Sequence, residues 1–338
     1  MDLGPLAQNL LSPLVLAFVL GIAAALVRSD LRLPEGLYAS LSIYLLLAIG
    51  LKGGVALSKT PLAEVAWPAL GTLALGVGTP LTAFFVLRRL RFGRIDAGAI
   101  AAHYGSVSAV TFIAALAYVA LAGHAVEGFM PALVALLEVP AIVVGLLLAT
   151  GGRGRAVAAE DRAPGAEPGH EPGAEPSWRT ALREVLVGRS IVLLVGGLVI
   201  GALVGERGMA PVAPFFVHGF QGALTLFLLE MGLTTAARLR DLRLVGGRLV
   251  AFAIAVPIAH GLAGVAVGHA CGLGVGGAAV LGAMASSASY IAAPAAVRLA
   301  LPEASPTLYL TAALGVTFPF NLTLGLPLYL AAAVWLGA

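Results

Sequence analysis

Two apolar stretches of the chain each carry a cluster of small hydroxyl side chains. The first is the segment 102–111, with the sequence AHYGSVSAVT, and the second is the segment 285–294, with the sequence ASSASYIAAP. An uninterrupted helix gains nothing from such a cluster, whereas an unwound segment needs Gly or Ser to allow irregular backbone around a cavity. We therefore predict a broken helix at each cluster.

The chemistry that such breaks permit is ion binding. The second half of each broken helix begins with free N–H groups at the positive end of the helix dipole, and these attract a small anion. Unwound carbonyl groups and the remaining hydroxyls suit sodium, a hard cation that prefers oxygen ligands. The two clusters thus predict sites for a small anion and for sodium.

Other interpretations of these residues stay open. Ser and Thr inside a helix can bond a carbonyl of the preceding turn or join neighbouring helices. The tripeptide Gly105-Ser106-Val107 resembles the Gly-x-Ser nucleophile of a serine protease, for which His260 is a candidate base. A protease would not need the second cluster, however, and a passive channel would need rings of carbonyls or like charges that the sequence does not display.

Three more polar side chains lie inside apolar stretches. Pro140 and Pro319 are expected to kink their helices, which places Glu138, Thr317 and Asn321 near the same depth. A buried Glu is a functional-site candidate, although a structural hydrogen bond or ion pair explains it nearly as well. Thr317 and Asn321 offer neutral oxygen atoms that complete a sodium shell begun by unwound carbonyls.

The elements that position these residues are membrane-spanning helices. The 338 residues are 59% hydrophobic and 11% charged, against about 25% charged in soluble domains, and the mean hydropathy is +0.98. This composition excludes a soluble globular enzyme and leaves room for about ten spans of roughly 20 residues. We predict the spans at 9–27, 37–58, 64–88, 95–122, 129–150, 188–205, 213–236, 246–270, 274–300 and 306–336. The Pro-rich segment 151–187 between the fifth and sixth spans is predicted to be a disordered linker.

The basic residues predict how the chain is oriented. The connections after spans 1, 3, 5, 7 and 9 hold 17 Lys and Arg residues, and the opposite connections hold 2. Cytoplasmic connections carry such an excess, so the linker is predicted to be cytoplasmic and both termini outside, in the inner (plasma) membrane. Because the Arg residues lie in short clusters between apolar runs, nucleic-acid binding is not expected. The single Cys271 excludes an internal disulfide or a thiolate metal site, and no cofactor is expected.

The two halves of the chain resemble each other. Gly, Pro and Ser landmarks recur in the same order at offsets of 177 to 182 residues, for example Gly21 with Gly201 and Ser106 with Ser287. With five spans each, the halves enter the membrane from opposite faces, which is the arrangement of secondary transporters. The sequence therefore predicts an all-α polytopic membrane protein with ten transmembrane helices, a 5+5 inverted repeat (1–150 and 188–338) and two broken helices crossing at the midplane.

Several motifs carry a resemblance to a known family. They are GLKGG at 50–54, HYGSVSAVTF at 103–112, LEVP at 137–140, SASYIAAPA at 287–295 and FPFNLT at 318–323. Together these motifs resemble the sodium-dependent bicarbonate transporter family of the SbtA type. The resemblance implies import of bicarbonate coupled to sodium by an elevator-like movement of a core domain (spans 3–5 and 8–10) against a gate domain (spans 1, 2, 6 and 7). It further implies a homotrimer, embedded in membrane lipids, that a cytoplasmic PII-like protein responding to adenine nucleotides can close.

The resemblance also implies where the anion binds. The anion is expected between the two breaks, at Gly105, Ser106, Val107, Ser108, Ser287, Ala288 and Ser289. Sodium is expected at Ser108, Thr111, Glu138, Ser286, Thr317 and Asn321. The Pro-Glu-Gly linker departs from the general pattern of the family, which bears on the PII-like partner and not on the transport core.

Overall fold

All regular structure in the described part of the chain is helical. The structure, a computed structural model, describes residues 9–151, 183 and 186–337. The predicted linker falls almost wholly outside these residues. No β-strand occurs among the residues that are described, in agreement with the predicted all-α class.

Six helices have both ends within the described residues of the first half. These are α1 (Pro13–Leu26), α2 (Glu35–Leu57), α3 (Leu62–Arg89), α4 (Arg94–Gly105), α5 (Ala109–Leu121) and α6 (Met130–Thr150). Three residues separate α4 from α5, so the predicted fourth span is a helix broken at the first hydroxyl cluster. The structure thus has the first predicted break at the predicted place.

The described residues of the second half add seven more main helical segments. These are α7 (Arg189–Met209), α8 (Phe220–Leu239), α9 (Leu242–Val245), α10 (Gly247–Ala270), α11 (Val275–Ser286), α12 (Ala292–Ala300) and α13 (Pro306–Gly337). A 3-10 turn (Ala210–Val212) and a π-helical turn (Pro214–His218) lie between α7 and α8. The gap between α11 and α12 is the second predicted break. Segment α13 is irregular, since the π-helical turns Thr311–Thr317 and Asn321–Gly325 flank Pro319.

Eight helices of the described residues are long and apolar enough to cross a membrane. They include the broken α4–α5 pair taken as one span, whereas α1 and α11 are shorter apolar helices. Large apolar side chains such as Leu62, Trp67, Leu203 and Trp335 point outward and are more than half exposed. In a membrane these side chains contact lipid. The chain is therefore a polytopic membrane protein, and the full count of ten spans stays a prediction.

The helices pack as two pairs and two groups of three. Helix α7 lies along α2, and α8 lies along α1. Elsewhere α3, α4 and α6 pack on one another, and α10 packs on α11 and on the C-terminal part of α13. Glycines allow the close approach of the α2–α7 pair, because a Cβ on Gly197 would lie 2.9 Å from the Cα of Gly50.

Close packing against α3 and α6 fixes the position of the first break. A Cβ on Gly105 would lie 2.6 Å from Cδ of Pro80 and 2.9 Å from Cβ of Ala141, so only Gly fits at the end of α4. Ser106 then has extended backbone with φ −89° and ψ 149°. Ser108 caps the N-terminus of α5, because its hydroxyl accepts a hydrogen bond from the backbone N–H of Thr111.

Candidate functional site

The two breaks lie directly against each other. The backbone N–H of Ser108 donates to Oγ of Ser287 over 2.8 Å. In the other direction, the backbone N–H of Ser289 donates to the carbonyl oxygen of His103 over 2.8 Å. These two hydrogen bonds join segments about 180 residues apart in sequence and bring together the start of α5 and the segment that leads into α12.

All the predicted site residues are buried. The seven residues expected to contact the anion are Gly105, Ser106, Val107, Ser108, Ser287, Ala288 and Ser289, and all are buried. The six residues expected to contact sodium are Ser108, Thr111, Glu138, Ser286, Thr317 and Asn321, and each is at most 4% exposed. Because burial of a polar group is costly unless it has a partner, the partners decide what each residue does.

Ser106 differs from the other serines of the two breaks in the hydrogen bonding of its side chain. The residue is 1% exposed, and its hydroxyl has no hydrogen-bond partner among the described residues. Such a group costs about 1 to 3 kcal/mol when it is left unsatisfied. This hydroxyl lies two residues before Ser108, the N-cap of α5, and keeps a donor that a small anion could accept.

The hydroxyls of the second break are occupied by the protein itself. Oγ of Ser287 donates to the carbonyl oxygen of Met284 over 2.7 Å while it accepts from Ser108. Oγ of Ser286 donates to the carbonyl oxygen of Ala283 over 2.9 Å, and Oγ of Ser289 accepts from the backbone N–H of Ala293 over 3.3 Å. These three side chains therefore hold the irregular backbone in place.

Glu138 faces the breaks across a small cavity. The cavity is lined by Val107, Ser108, Ala109, Glu138, Ser190, Ser289, Tyr290 and Ile291. A carboxylate beside three serine hydroxyls and an irregular backbone provides the hard oxygen atoms that sodium prefers. The structure thus groups Glu138 with Ser108 and Ser289 of the breaks, and with Ser190 at the start of α7.

Asn321 contacts the second break from α13. Its side-chain Nδ2 donates over 3.1 Å to the carbonyl oxygen of Ser286, which is the last residue of α11. Its Oδ1 accepts from the hydroxyl of Tyr329 over 3.1 Å. Both ends of the amide are therefore used, and Asn321 fixes the carbonyl that precedes the break.

Thr317 belongs to a different set of contacts. Its hydroxyl donates to the carbonyl oxygen of Ala253 over 2.7 Å and lies 2.6 Å from the hydroxyl of Tyr104. Tyr104 is the penultimate residue of α4, so this bond ties α13 and α10 to the first break. The structure does not join Thr317 to the contacts of Asn321.

Three residues of the site were not singled out in the sequence. Ser190 lines the Glu138 cavity, and Tyr104 and Tyr329 hold Thr317 and Asn321. Tyr104 lies inside the first cluster, so its position beside Ser106 was the available signal. Ser190 and Tyr329 give none, because a single Ser at the start of a helix and a Tyr in an apolar span are common.

Comparison with known proteins identifies the family. The family model of the Na⁺-dependent bicarbonate transporter superfamily matches residues 13–334, which is nearly the whole chain. None of the curated proteins searched matches the chain. The matched family is one of transporters and not of enzymes, so the serine-protease interpretation of Ser106 does not apply. With both broken helices and most of α13 inside the matched region, the chain belongs to the Na⁺-dependent bicarbonate transporter superfamily.

Proposed function

We propose that the protein imports bicarbonate together with sodium by alternating access. The observation that carries the proposal is the pair of facing breaks, in which Ser106 offers a buried hydroxyl without a partner among the described residues. The N-terminal ends of α5 and α12 add positive dipole ends to the same place. A small anion between the breaks satisfies the Ser106 hydroxyl and neutralises both helix ends.

Sodium is proposed to bind next to this anion. Glu138 supplies a carboxylate, and Ser108, Thr111 and Ser286 supply hydroxyls near the breaks. Asn321 is proposed to act at the same site by holding the Ser286 carbonyl, and Thr317 to act from the Tyr104 side. Two opposite charges in one buried place stabilise each other, so binding of either ion favours binding of the other.

Symport is energetically sufficient for uptake. Moving one monovalent anion inward against 100 mV costs about 2.3 kcal/mol, which one sodium ion moving with it offsets. A tenfold sodium gradient then contributes about 1.4 kcal/mol, enough to concentrate bicarbonate about tenfold at one-to-one coupling. No further energy source is required at this stoichiometry.

The elevator mechanism is proposed from the packing of the two helix groups. In the inverted repeat, Gly21 of α1 matches Gly201 of α7, and Gly232 of α8 matches Gly50 of α2. A Cβ on Gly21 would lie 3.0 Å from Cα of Gly232, and a Cβ on Gly201 would meet residues 51 and 54 of α2. The α1–α8 and α2–α7 contacts are therefore counterparts, as an inverted repeat requires, and these four helices suit a fixed gate.

Assembly and orientation belong to the same proposal. A homotrimer in the inner membrane would place its gate helices against lipid and neighbouring copies. Both termini would be outside and residues 151–187 cytoplasmic, within reach of a PII-like regulatory protein. The transported ions are substrates, and the proposal includes no cofactor.

Uptake of labelled bicarbonate by the reconstituted protein tests the proposal. Liposomes with an inward sodium gradient should accumulate label above equilibrium, and liposomes with potassium in place of sodium should not. Nitrate competition measures the selectivity for the anion. Uptake that is equal with and without the sodium gradient would refute the symport.

A further inference from the structure

A second and larger cavity lies between α8 and α12. It holds about 520 Å³ and is open to solvent. The residues that line it are Leu33, Tyr38, Glu230, Met231, Thr234, Arg238, Tyr290, Ile291, Pro294, Ala295, Arg298, Leu310 and Leu314. We call this cavity the vestibule. Its volume is sufficient for ions that keep part of their hydration shell.

The vestibule leads to the proposed ion site. Tyr290 and Ile291 line both the vestibule and the small cavity of Glu138. They are the last two residues before α12, so a single layer of side chains separates the two spaces. The opposite wall comes from α8, on which Glu230, Thr234 and Arg238 succeed one another by one turn.

The mouth of the vestibule lies on the basic side of the protein. Arg238 at the end of α8 and Arg298 near the end of α12 belong to the connections that carry the excess of Arg. The positive-inside rule makes this the cytoplasmic side. The vestibule is therefore an aqueous space that joins the cytoplasm to the break between α11 and α12.

Charged groups of both signs in the vestibule keep polar atoms without a partner among the described residues. Arg298 is exposed and makes no hydrogen bond or ion pair with the described residues. The Glu230 side chain bonds Thr234, but its second carboxylate oxygen, Oε2, is buried and unpartnered within the same part of the chain. Arg238 differs, because its guanidinium lies 3.5 Å from the carboxylate of Asp241. Arg298 and Glu230 thus remain available to ligands of opposite charge.

We infer that the vestibule is the inner access path of both transported ions, in which Arg298 receives the anion and Glu230 receives sodium. The inference rests on the proposed function. The two side chains belong to different walls, with Arg298 on α12 and Glu230 on α8. Each ion therefore meets a side chain of opposite charge on its way between the breaks and the cytoplasm. The attraction to that side chain offsets the repulsion from the side chain of like charge.

The charge preference of the vestibule can be measured without the transported ions. A cysteine replaces Ala295, an exposed lining residue, in a Cys271→Ser background. Inside-out membrane vesicles are treated with thiosulfonate reagents of similar size that carry either a sulfonate or an ammonium group. The ratio of the two modification rates reports the local potential.

Three variants give the expected pattern. Arg298→Gln should lower the ratio of anionic to cationic rates about three- to tenfold at low ionic strength, as expected for a unit charge about 10 Å away. Glu230→Gln should raise the ratio by a similar factor, and Arg298→Lys should keep it. Arg243→Gln is the matched control, since it removes a positive charge from an exposed Arg of the same side outside the vestibule.

The outcomes separate the two proposals. A cysteine at position 295 that reacts only from the outer face, or a ratio that Arg298→Gln and Glu230→Gln change no more than Arg243→Gln does, overturns the inference. If the ratio shifts as expected but sodium does not drive bicarbonate uptake in reconstituted protein, the proposed function fails and the charge pattern stands. If sodium drives uptake while the ratio is unmoved, only the vestibule inference fails.

Discussion

Replacement of Ser106 by Ala separates ligand binding from folding at the breaks. The Ser106 hydroxyl is buried and has no partner in the described chain, so its removal takes away no hydrogen bond of the protein. We expect the free energy of unfolding to stay the same or to rise. The matched change is Ser287→Ala at the repeat-equivalent position, which removes the acceptor of the Ser108 N–H.

The sizes of the two effects are set by the hydrogen bonds. A hydrogen bond to a charged ligand contributes about 1.5 to 3 kcal/mol, so Ser106→Ala should raise the half-saturating bicarbonate concentration about 10- to 150-fold. Ser287→Ala leaves the backbone N–H of Ser108 buried without a partner, which costs about 1 to 3 kcal/mol of stability. The first variant should therefore be folded but weak in binding, and the second should be less stable.

Two measurements on the same preparations test this expectation. Uptake against bicarbonate concentration at saturating sodium gives the apparent affinity, and thermal unfolding in detergent gives the stability. An unchanged affinity in Ser106→Ala would remove the Ser106 hydroxyl from the anion site. A loss of stability in Ser106→Ala as large as that in Ser287→Ala would show that the hydroxyl serves the fold.

Three further outcomes are expected. Gly197→Ala should destabilise the α2–α7 contact by about 1 to 3 kcal/mol, because its Cβ would lie 2.9 Å from Cα of Gly50. The neighbouring Gly196→Ala is the control, because its Cβ would meet nothing within 4 Å and its stability should not change. Thermal unfolding measures the difference between the two variants. Glu138→Gln should raise the sodium concentration for half-maximal uptake about tenfold or more with little change in the yield of folded protein, and an unshifted sodium curve would exclude the carboxylate as a ligand. A cysteine introduced into the segment 151–187 should resist impermeant reagents in intact cells, and labelling there would contradict the predicted topology.

The broken helices could be predicted from the sequence because their signal is local. Hydroxyl clusters in apolar runs are rare enough to mark unwound backbone, and the breaks fall at Ser106 and Ser287 as expected. Helix ends were less predictable. The sixth span was expected to end at residue 205, yet α7 continues to Met209 through a kink at Gly205, where φ is +60°. Only a glycine adopts this conformation without strain, and whether the helix resumes beyond it depends on the packing of the next turn.

The partners of each polar side chain could not be predicted, because they depend on packing between distant segments. A kink was expected at Pro319, whereas the structure has two π-helical stretches around it, from Thr311 to Gly325. A π-turn shifts the helix register, so it decides which of the residues before and after Pro319 meet. This shift accompanies the separation of Thr317, which bonds Ala253, from Asn321, which bonds Ser286.

The two breaks have similar sequences but unequal hydrogen bonds. With the offset of 181 residues that relates Ser106 to Ser287, the counterpart of Ser108 is Ser289. The N–H of Ser108 donates to Oγ of Ser287. In a symmetric pair the N–H of Ser289 would donate to Oγ of Ser106. The N–H of Ser289 instead donates to the carbonyl oxygen of His103. That single exchange leaves the Ser106 hydroxyl without a partner in the described chain. An inverted repeat alone would create two equivalent half-sites. Under the proposed function, the departure from symmetry therefore leaves Ser287 to the backbone and Ser106 to the ligand.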